Sequence, residues 1–133
     1  MKKYFVILFI VFLLTSCKSI KDSEFYGYES GYGNPLCISD EELQEAKEKV
    51  NQGQLAYCNI IAIHYESLPE PDVAKVIYWL TIGAERGEPA CMWNLGYEFY
   101  EIYDDKELGL YWIKKAASLG EEYAIEFLKD ITM

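Results

Sequence analysis

Apolar residues recur at helical spacing along three stretches of the chain, which follow glycines at positions 53, 87 and 120. A spacing of four residues places side chains on one face of an α-helix, so each stripe predicts a helix with one buried side. Small residues at positions 62 and 96 are suited to close packing between helices. The residues at four, eight and twelve positions after the glycines include Tyr57, Ile61 and Tyr65, then Cys91, Leu95 and Phe99, and lastly Ala124 and Leu128.

Capping residues and helix breakers divide residues 39–133 into six predicted helices. Ser39 is suited to cap the first helix, because Glu42 three residues later completes a capping box. Glycines at 53, 87 and 120 end the first, third and fifth helices, and prolines at 69 and 71 end the second. The predicted helices span about residues 40–50, 54–67, 72–86, 88–103, 105–119 and 121–131.

A five-residue pattern occurs twice between residues 72 and 120, with every member displaced by 33 positions. Asp72, Tyr78, Trp79, Ala84 and Gly87 recur as Asp105, Tyr111, Trp112, Ala117 and Gly120. A repeat of this length is typical of a solenoid of helical hairpins, in which each unit buries its apolar face against its neighbours. The repeat therefore predicts an all-α fold, an α-α superhelix of about six helices, and a role in binding proteins.

Three segments resemble the Sel-one-like repeat, a relative of the tetratricopeptide repeat. They are DVAKVIYWLTIGAERG at 72–87, NLGY at 94–97 and WIKKAASLG at 112–120. The resemblance implies that residues 39–133 form a right-handed superhelix of antiparallel helix pairs. It also implies an adaptor or scaffold role, and some small members of the family are similar to immunity proteins that neutralise periplasmic effector toxins.

The first seventeen residues have the pattern of an export signal. Two lysines precede an apolar run at 4–14, which is shorter than the roughly 20 residues of a membrane-spanning helix. The following Leu-Thr-Ser-Cys resembles a bacterial lipobox, which implies that residues 1–16 are a signal peptide and that Cys17 is lipidated. The alternative is an ordinary secretory signal with a chance cysteine.

Residues 17–38 contain the lipidated cysteine and a stretch without helical or alternating period, which predicts a flexible tether. In the alternative interpretation, the aromatic residues of this stretch dock onto the folded domain. Position 18 is lysine rather than the aspartate associated with inner-membrane retention. We therefore expect an anchor in the outer membrane, facing the periplasm.

The chain is acidic, with 12 basic and 22 acidic residues and a formal net charge of −10. Residues 1–16 contain two of the lysines, so the remaining residues carry 10 basic and 22 acidic side chains. Nucleic acids and anionic lipid surfaces need clustered Lys or Arg, so neither is an expected partner. The charge instead suits a basic protein partner, and we expect no small-molecule substrate.

The other cysteines are Cys37, Cys58 and Cys91, and an odd number allows at most one disulfide bond among them. Cys58 and Cys91 fall at similar heights on neighbouring predicted helices, so a bond between them is conceivable. The favoured interpretation is that both are small core residues. Cys-x-x-Cys spacing is absent from the sequence, so no metal site is expected.

Motifs for catalysis or for cofactor binding are also absent from the sequence, which predicts a protein that is not an enzyme and has no cofactor. His64 is the only histidine, and it lies at the edge of the predicted buried stripe without a local partner. A cell-envelope hydrolase, the enzymatic alternative, would need a cluster of His, Asp or Ser side chains in one groove.

The candidate partner-binding residues lie on the second and fourth predicted helices, opposite the core stripe. In tetratricopeptide-like solenoids this side lines a groove, where Trp93 and Tyr97 would be rigid anchors for a partner segment. The alternative is that Trp93 fills a gap between repeats. The predicted groove residues are Asn59, Ile63, Glu66, Trp93, Tyr97, Tyr100 and Glu101.

Overall fold

Six α-helices follow one another along residues 38–133, the part of the chain that the computed structural model describes. This part is all-helical and its helices pack against one another, so the predicted fold class is confirmed. The predicted signal peptide, Cys17, Cys37 and nearly all of the tether lie outside the described residues. The helices are α1 (Asp40–Asn51), α2 (Ala56–Glu66), α3 (Val73–Glu85), α4 (Pro89–Tyr97), α5 (Lys106–Ser118) and α6 (Glu122–Thr132), with a π-helical turn, Glu98–Ile102, after α4.

Side-chain caps begin α1, α3 and α5, and the sequence predicts the first of them, at Ser39. The Ser39 backbone N–H donates to the Glu42 carboxylate at 2.9 Å, and the Glu42 N–H donates to the Ser39 hydroxyl at 3.2 Å. The carboxylates of Asp72 and Asp105 each accept a backbone N–H three residues ahead, both at 3.1 Å. The two aspartates of the 33-residue pattern are therefore the N-caps of α3 and α5.

Gly87 and Gly120 end α3 and α5 in the left-handed conformation, with φ of 102° and 88°. Residues with a Cβ rarely adopt this conformation, which explains why both copies of the repeat end with glycine. The residues that follow the two glycines donate back to carbonyl groups of the helix, at 2.9 Å in the first copy and 3.1 Å in the second. Each glycine thus turns the chain directly into the next helix.

The helices stack in sequence order, so that each packs against the next, and α2 also contacts α4. Ile61 of α2, Leu95 of α4 and Ile113 of α5 are fully buried along this stack. The predicted burial is confirmed at the centre of the stripe, whereas the outer residues Tyr57 and Leu128 are only half-buried. Ile38, the last residue of the predicted tether, is buried as well.

The fourth predicted helix does not continue regularly to residue 103. Regular α-helix ends at Tyr97, and the π-helical turn places the Tyr103 N–H on the Glu98 carbonyl oxygen at 3.0 Å. At this point the backbone of Tyr100 lies against Gly109 of α5, where an added Cβ would be 2.7 Å from the Tyr100 nitrogen. The wider turn therefore occurs where the chain after α4 lies in close contact with α5, a tertiary constraint that local sequence does not reveal.

Candidate functional site

A cleft opens between α2 and α4, with α3 beneath it, and we call it the α2–α4 cleft. Four of the seven predicted groove residues line it, namely Asn59, Ile63, Glu66 and Tyr97. The cleft brings together two amides, two carboxylates, one tyrosine and several aliphatic side chains. Its complete lining is Asn59, Ala62, Ile63, Glu66, Val76, Leu80, Asn94, Tyr97 and Glu98.

Two asparagines join the walls of the cleft. The Asn94 side-chain Nδ2 donates to Asn59 Oδ1 at 2.6 Å, and only 8% of Asn94 and 4% of Asn59 is exposed. The other polar atom of the α4 amide, Asn94 Oδ1, is buried without a hydrogen-bond partner among residues 38–133. Leaving such an acceptor unpaired costs roughly 1–3 kcal/mol, so a donor entering the cleft would relieve this cost.

The two carboxylates of the cleft are Glu66, at the end of α2, and Glu98, at the start of the π-helical turn. Burial raises the pKa of both groups, and the negative charge of Glu66 raises the pKa of Glu98 further. The ion pairs within residues 38–133 involve other acids, at positions 45, 72 and 104. The cleft therefore carries negative charge that no Lys or Arg of the described chain neutralises.

The sequence leaves two interpretations of Trp93, as an anchor in a partner-binding groove or as a residue that fills a gap between repeats, and Trp93 does not line the α2–α4 cleft. Its side chain is 5% exposed and packs against the rings of Tyr97, Tyr123 and Phe127, with centroids 5.4, 6.5 and 5.6 Å away. The alternative, that Trp93 fills the gap between repeats, is the arrangement observed. Asn59 is likewise buried rather than exposed.

Trp93 is buried because α4 occupies a central position among the helices. Six consecutive residues of this helix, from Cys91 to Gly96, are buried, because α2, α3 and α5 pack against it and aromatic rings of α6 cover Trp93. A helix in that position has no exposed face opposite its core stripe. Tyr100 packs on Phe127 with centroids 5.1 Å apart and Glu101 is exposed, and neither residue lines the cleft.

Sequence reasoning missed Asn94 and Glu98 as members of the site. A detectable signal existed for Asn94, since α2 and α4 each carry one asparagine within an otherwise apolar run. An amide that is isolated in such a run needs a partner, and a second amide on a neighbouring helix supplies one. Glu98 gave no comparable signal, because its placement depends on the π-helical turn.

Cys58 and Cys91 are free thiols in the core, as the favoured interpretation predicted. Burial raises the pKa of Cys58 from its ordinary value of 9.0 to about 11, and it raises the pKa of Cys91 still further. Thiolates are the reactive species, so both groups are held in an inert form.

We expect these two thiols to resist a thiol reagent such as DTNB in the folded protein. The raised pKa alone lowers the thiolate fraction of Cys58 about 100-fold, and burial blocks access as well. With Cys17 and Cys37 replaced by serine, both thiols should react rapidly after denaturation. If they react in denaturant only after a reductant is added, a disulfide bond exists and the assignment is wrong.

His64 is half-buried beside Tyr65, with ring centroids 5.1 Å apart. Burial lowers its pKa, the nearby charge of Asp40 opposes this and that of Lys47 adds to it. Its Nδ1 atom has no hydrogen-bond partner in the described chain. The imidazole is therefore mainly neutral near pH 7.

Comparisons with protein-family models, with curated proteins and with solved structures yield no match for this chain. Within residues 38–133, no helix has the length and apolar character needed to cross a membrane. The same residues contain no group of three or more His, Cys, Asp or Glu side chains arranged to hold a metal ion.

Proposed function

We propose that this chain is a lipid-anchored protein-binding module of the Sel-one-like type, which holds a segment of a partner protein in the α2–α4 cleft. The observation that carries the proposal is the unpartnered Asn94 amide oxygen beside two unpaired carboxylates. Buried polar groups are normally satisfied, and a cleft that leaves a buried amide oxygen without a partner is suited to receive a hydrogen-bond donor. The stacked helical repeat supports the same role, because solenoids expose extended surfaces to partners.

The cellular setting proposed here comes from the N-terminal sequence. Acylation of Cys17 would anchor the chain in the outer membrane, and residues 18–38 would place the helical domain at a distance from the lipid. The partner would then be a periplasmic or membrane-attached protein. The acidic chain favours one with a basic surface, because opposite charges accelerate association.

An immunity protein for a periplasmic toxin is the second candidate. The net charge of −10 and the small size of the chain favour it. In this role the cleft would cover a basic segment of the toxin. A scaffold and an immunity protein use the same cleft, and they differ in whether binding abolishes a toxic activity of the partner.

Site-specific photo-crosslinking in native membranes tests the cleft as the partner-binding surface. A photoreactive amino acid at Ile63, inside the cleft, should form an adduct with a distinct partner. The matched control is the same group at Tyr78 of α3, which is 59% exposed and outside the cleft. Adducts from position 78 with none from position 63, in folded variants, would contradict the proposal. The identified partner then separates scaffold from immunity protein.

A further inference from the structure

We infer that the α2–α4 cleft binds the ammonium group of a lysine side chain that the partner protein supplies. This inference rests on the proposed function and specifies its chemistry. Its basis is the buried Asn94 amide oxygen, which has no hydrogen-bond partner among the described residues, together with the carboxylates of Glu66 and Glu98 at the same cleft. Glu98 is half-buried and Glu66 is exposed, and neither forms an ion pair within residues 38–133.

These three groups are all hydrogen-bond acceptors. The Nδ2 of Asn94 donates to Asn59, and the atom of this buried amide that lacks a hydrogen-bond partner among the described residues is its oxygen. A lysine ammonium carries three donors and no acceptor, which matches one amide oxygen and two carboxylates. A carboxylate or phosphate ligand would meet the like charge of Glu66 and Glu98, which disfavours an anionic partner segment.

Charge favours a cation over a neutral donor. Glu66 and Glu98 interact unfavourably with each other, and aliphatic side chains such as Ile63, Val76 and Leu80 line the space around them. A cation between the two carboxylates would replace repulsion with two charge-assisted hydrogen bonds. The same aliphatic lining would contact the methylene groups of a lysine, whose stem is apolar.

The size of the cleft favours ammonium over guanidinium. The cleft is narrow, with a cavity volume of about 10 Å³. An ammonium group is compact and close to water in size, whereas the guanidinium of arginine is a larger planar fork. A water molecule would fit, but it offers only two donors and leaves both charges uncompensated.

The test uses the full chain in detergent micelles, labelled with ¹⁵N, and short peptides that differ at one central residue. That residue is lysine, arginine, Nε-acetyl-lysine or norleucine, flanked by alanines. The lysine peptide should shift the side-chain amide resonances of Asn94 and Asn59 in a saturable way. Its affinity should exceed that of the acetyl-lysine peptide at least about 10-fold, because acetylation removes the charge and two donors.

Equal affinities for the lysine and norleucine peptides would overturn the inference, since an apolar stem alone would then explain binding. A preference for arginine would overturn it as well, because the site would be larger than the ammonium requires. Absence of any saturable shift at Asn94 with the lysine peptide, at peptide concentrations up to the millimolar range, would also count against it.

Glu98→Gln tests whether the negative charge of the cleft contributes to lysine binding, and Glu101→Gln is its matched control. Glu98 lines the cleft, whereas Glu101 is an exposed acid of the same π-helical turn outside it. Glu98→Gln should weaken lysine-peptide binding about 10-fold and leave acetyl-lysine-peptide binding unchanged. Glu101→Gln should change neither. Because Glu98→Gln removes repulsion from Glu66, its melting temperature should not fall, so lost binding cannot be ascribed to unfolding.

The two proposals fail in different ways. Crosslinks from position 63 without discrimination between lysine and norleucine would retain the protein-binding cleft and reject the lysine assignment. Lysine-selective binding with crosslinks only from position 78 would retain the ammonium site and reject the cleft as the principal partner surface. Neither result depends on the identity of the native partner.

Discussion

Replacing Gly96 with alanine should lower the free energy of unfolding by about 3 kcal/mol, at the upper end of the usual cost of overpacking a core. A Cβ at position 96 would lie 2.7 Å from Ile113 Cγ1, 2.8 Å from the Gly109 carbonyl oxygen and 2.9 Å from the Ile113 nitrogen. Two of these three atoms are backbone, so no rotamer change can make room. The axes of α4 and α5 would have to separate, which would loosen the fully buried Ile113 and Leu95.

The direction of the change in the free energy of unfolding tests the close contact between α4 and α5. In a helix interior without tertiary constraint, alanine stabilises relative to glycine by about 1 kcal/mol. Chemical denaturation followed by circular dichroism gives the free energy of unfolding for both proteins. Gly96→Ala at or above the stability of the parent would show that the two helices are further apart than described.

Gly120→Ala is the matched control. Gly120 has φ of 88°, and a Cβ there would have no atom within 4 Å. The cost should be about 1 kcal/mol, since it reflects only the left-handed conformation. A larger loss at position 96 than at position 120 separates steric conflict between helices from backbone strain.

Trp93→Ala should lower the free energy of unfolding by about 4 kcal/mol, the range for truncating a buried aromatic residue. The indole fills the space between α4 and α6 through its contacts with Tyr97, Tyr123 and Phe127. Truncation would leave a cavity that a helix held on several sides cannot close. The melting temperature and the denaturant midpoint should both fall, whereas Tyr78→Ala at a 59% exposed position should cost about 0.5 kcal/mol or less.

Trp93→Phe distinguishes a packing role from a binding role. Its Nε1 has no hydrogen-bond partner in the described chain, so phenylalanine loses volume without leaving a new polar group unpaired. We expect a loss of about 1 kcal/mol and unchanged affinity for the lysine peptide, because Trp93 does not line the cleft. A marked loss of affinity in folded Trp93→Phe would restore Trp93 as a binding anchor.

Helix boundaries were largely predictable because they depend on local chemistry. The Ser39–Glu42 capping box and the cap at Asp72 act within a few residues of the chain. Glycines with positive φ end α3 and α5 in the same local way. The end of α4 was not predictable, because the π-helical turn lies where Gly109 of a different helix meets Tyr100.

The sequence by itself determined six helices, their order, the cap at Ser39 and the periodic core positions such as Ile61 and Leu95, because each depends on spacing and neighbours along the chain. Only the tertiary structure decided that Trp93 is buried and that Asn94 pairs with Asn59 across 35 residues. It also decided that Glu66 and Glu98 share a cleft. Exposure and pairing depend on which helices surround α4, and a periodic pattern specifies a buried face without specifying every neighbour that covers it.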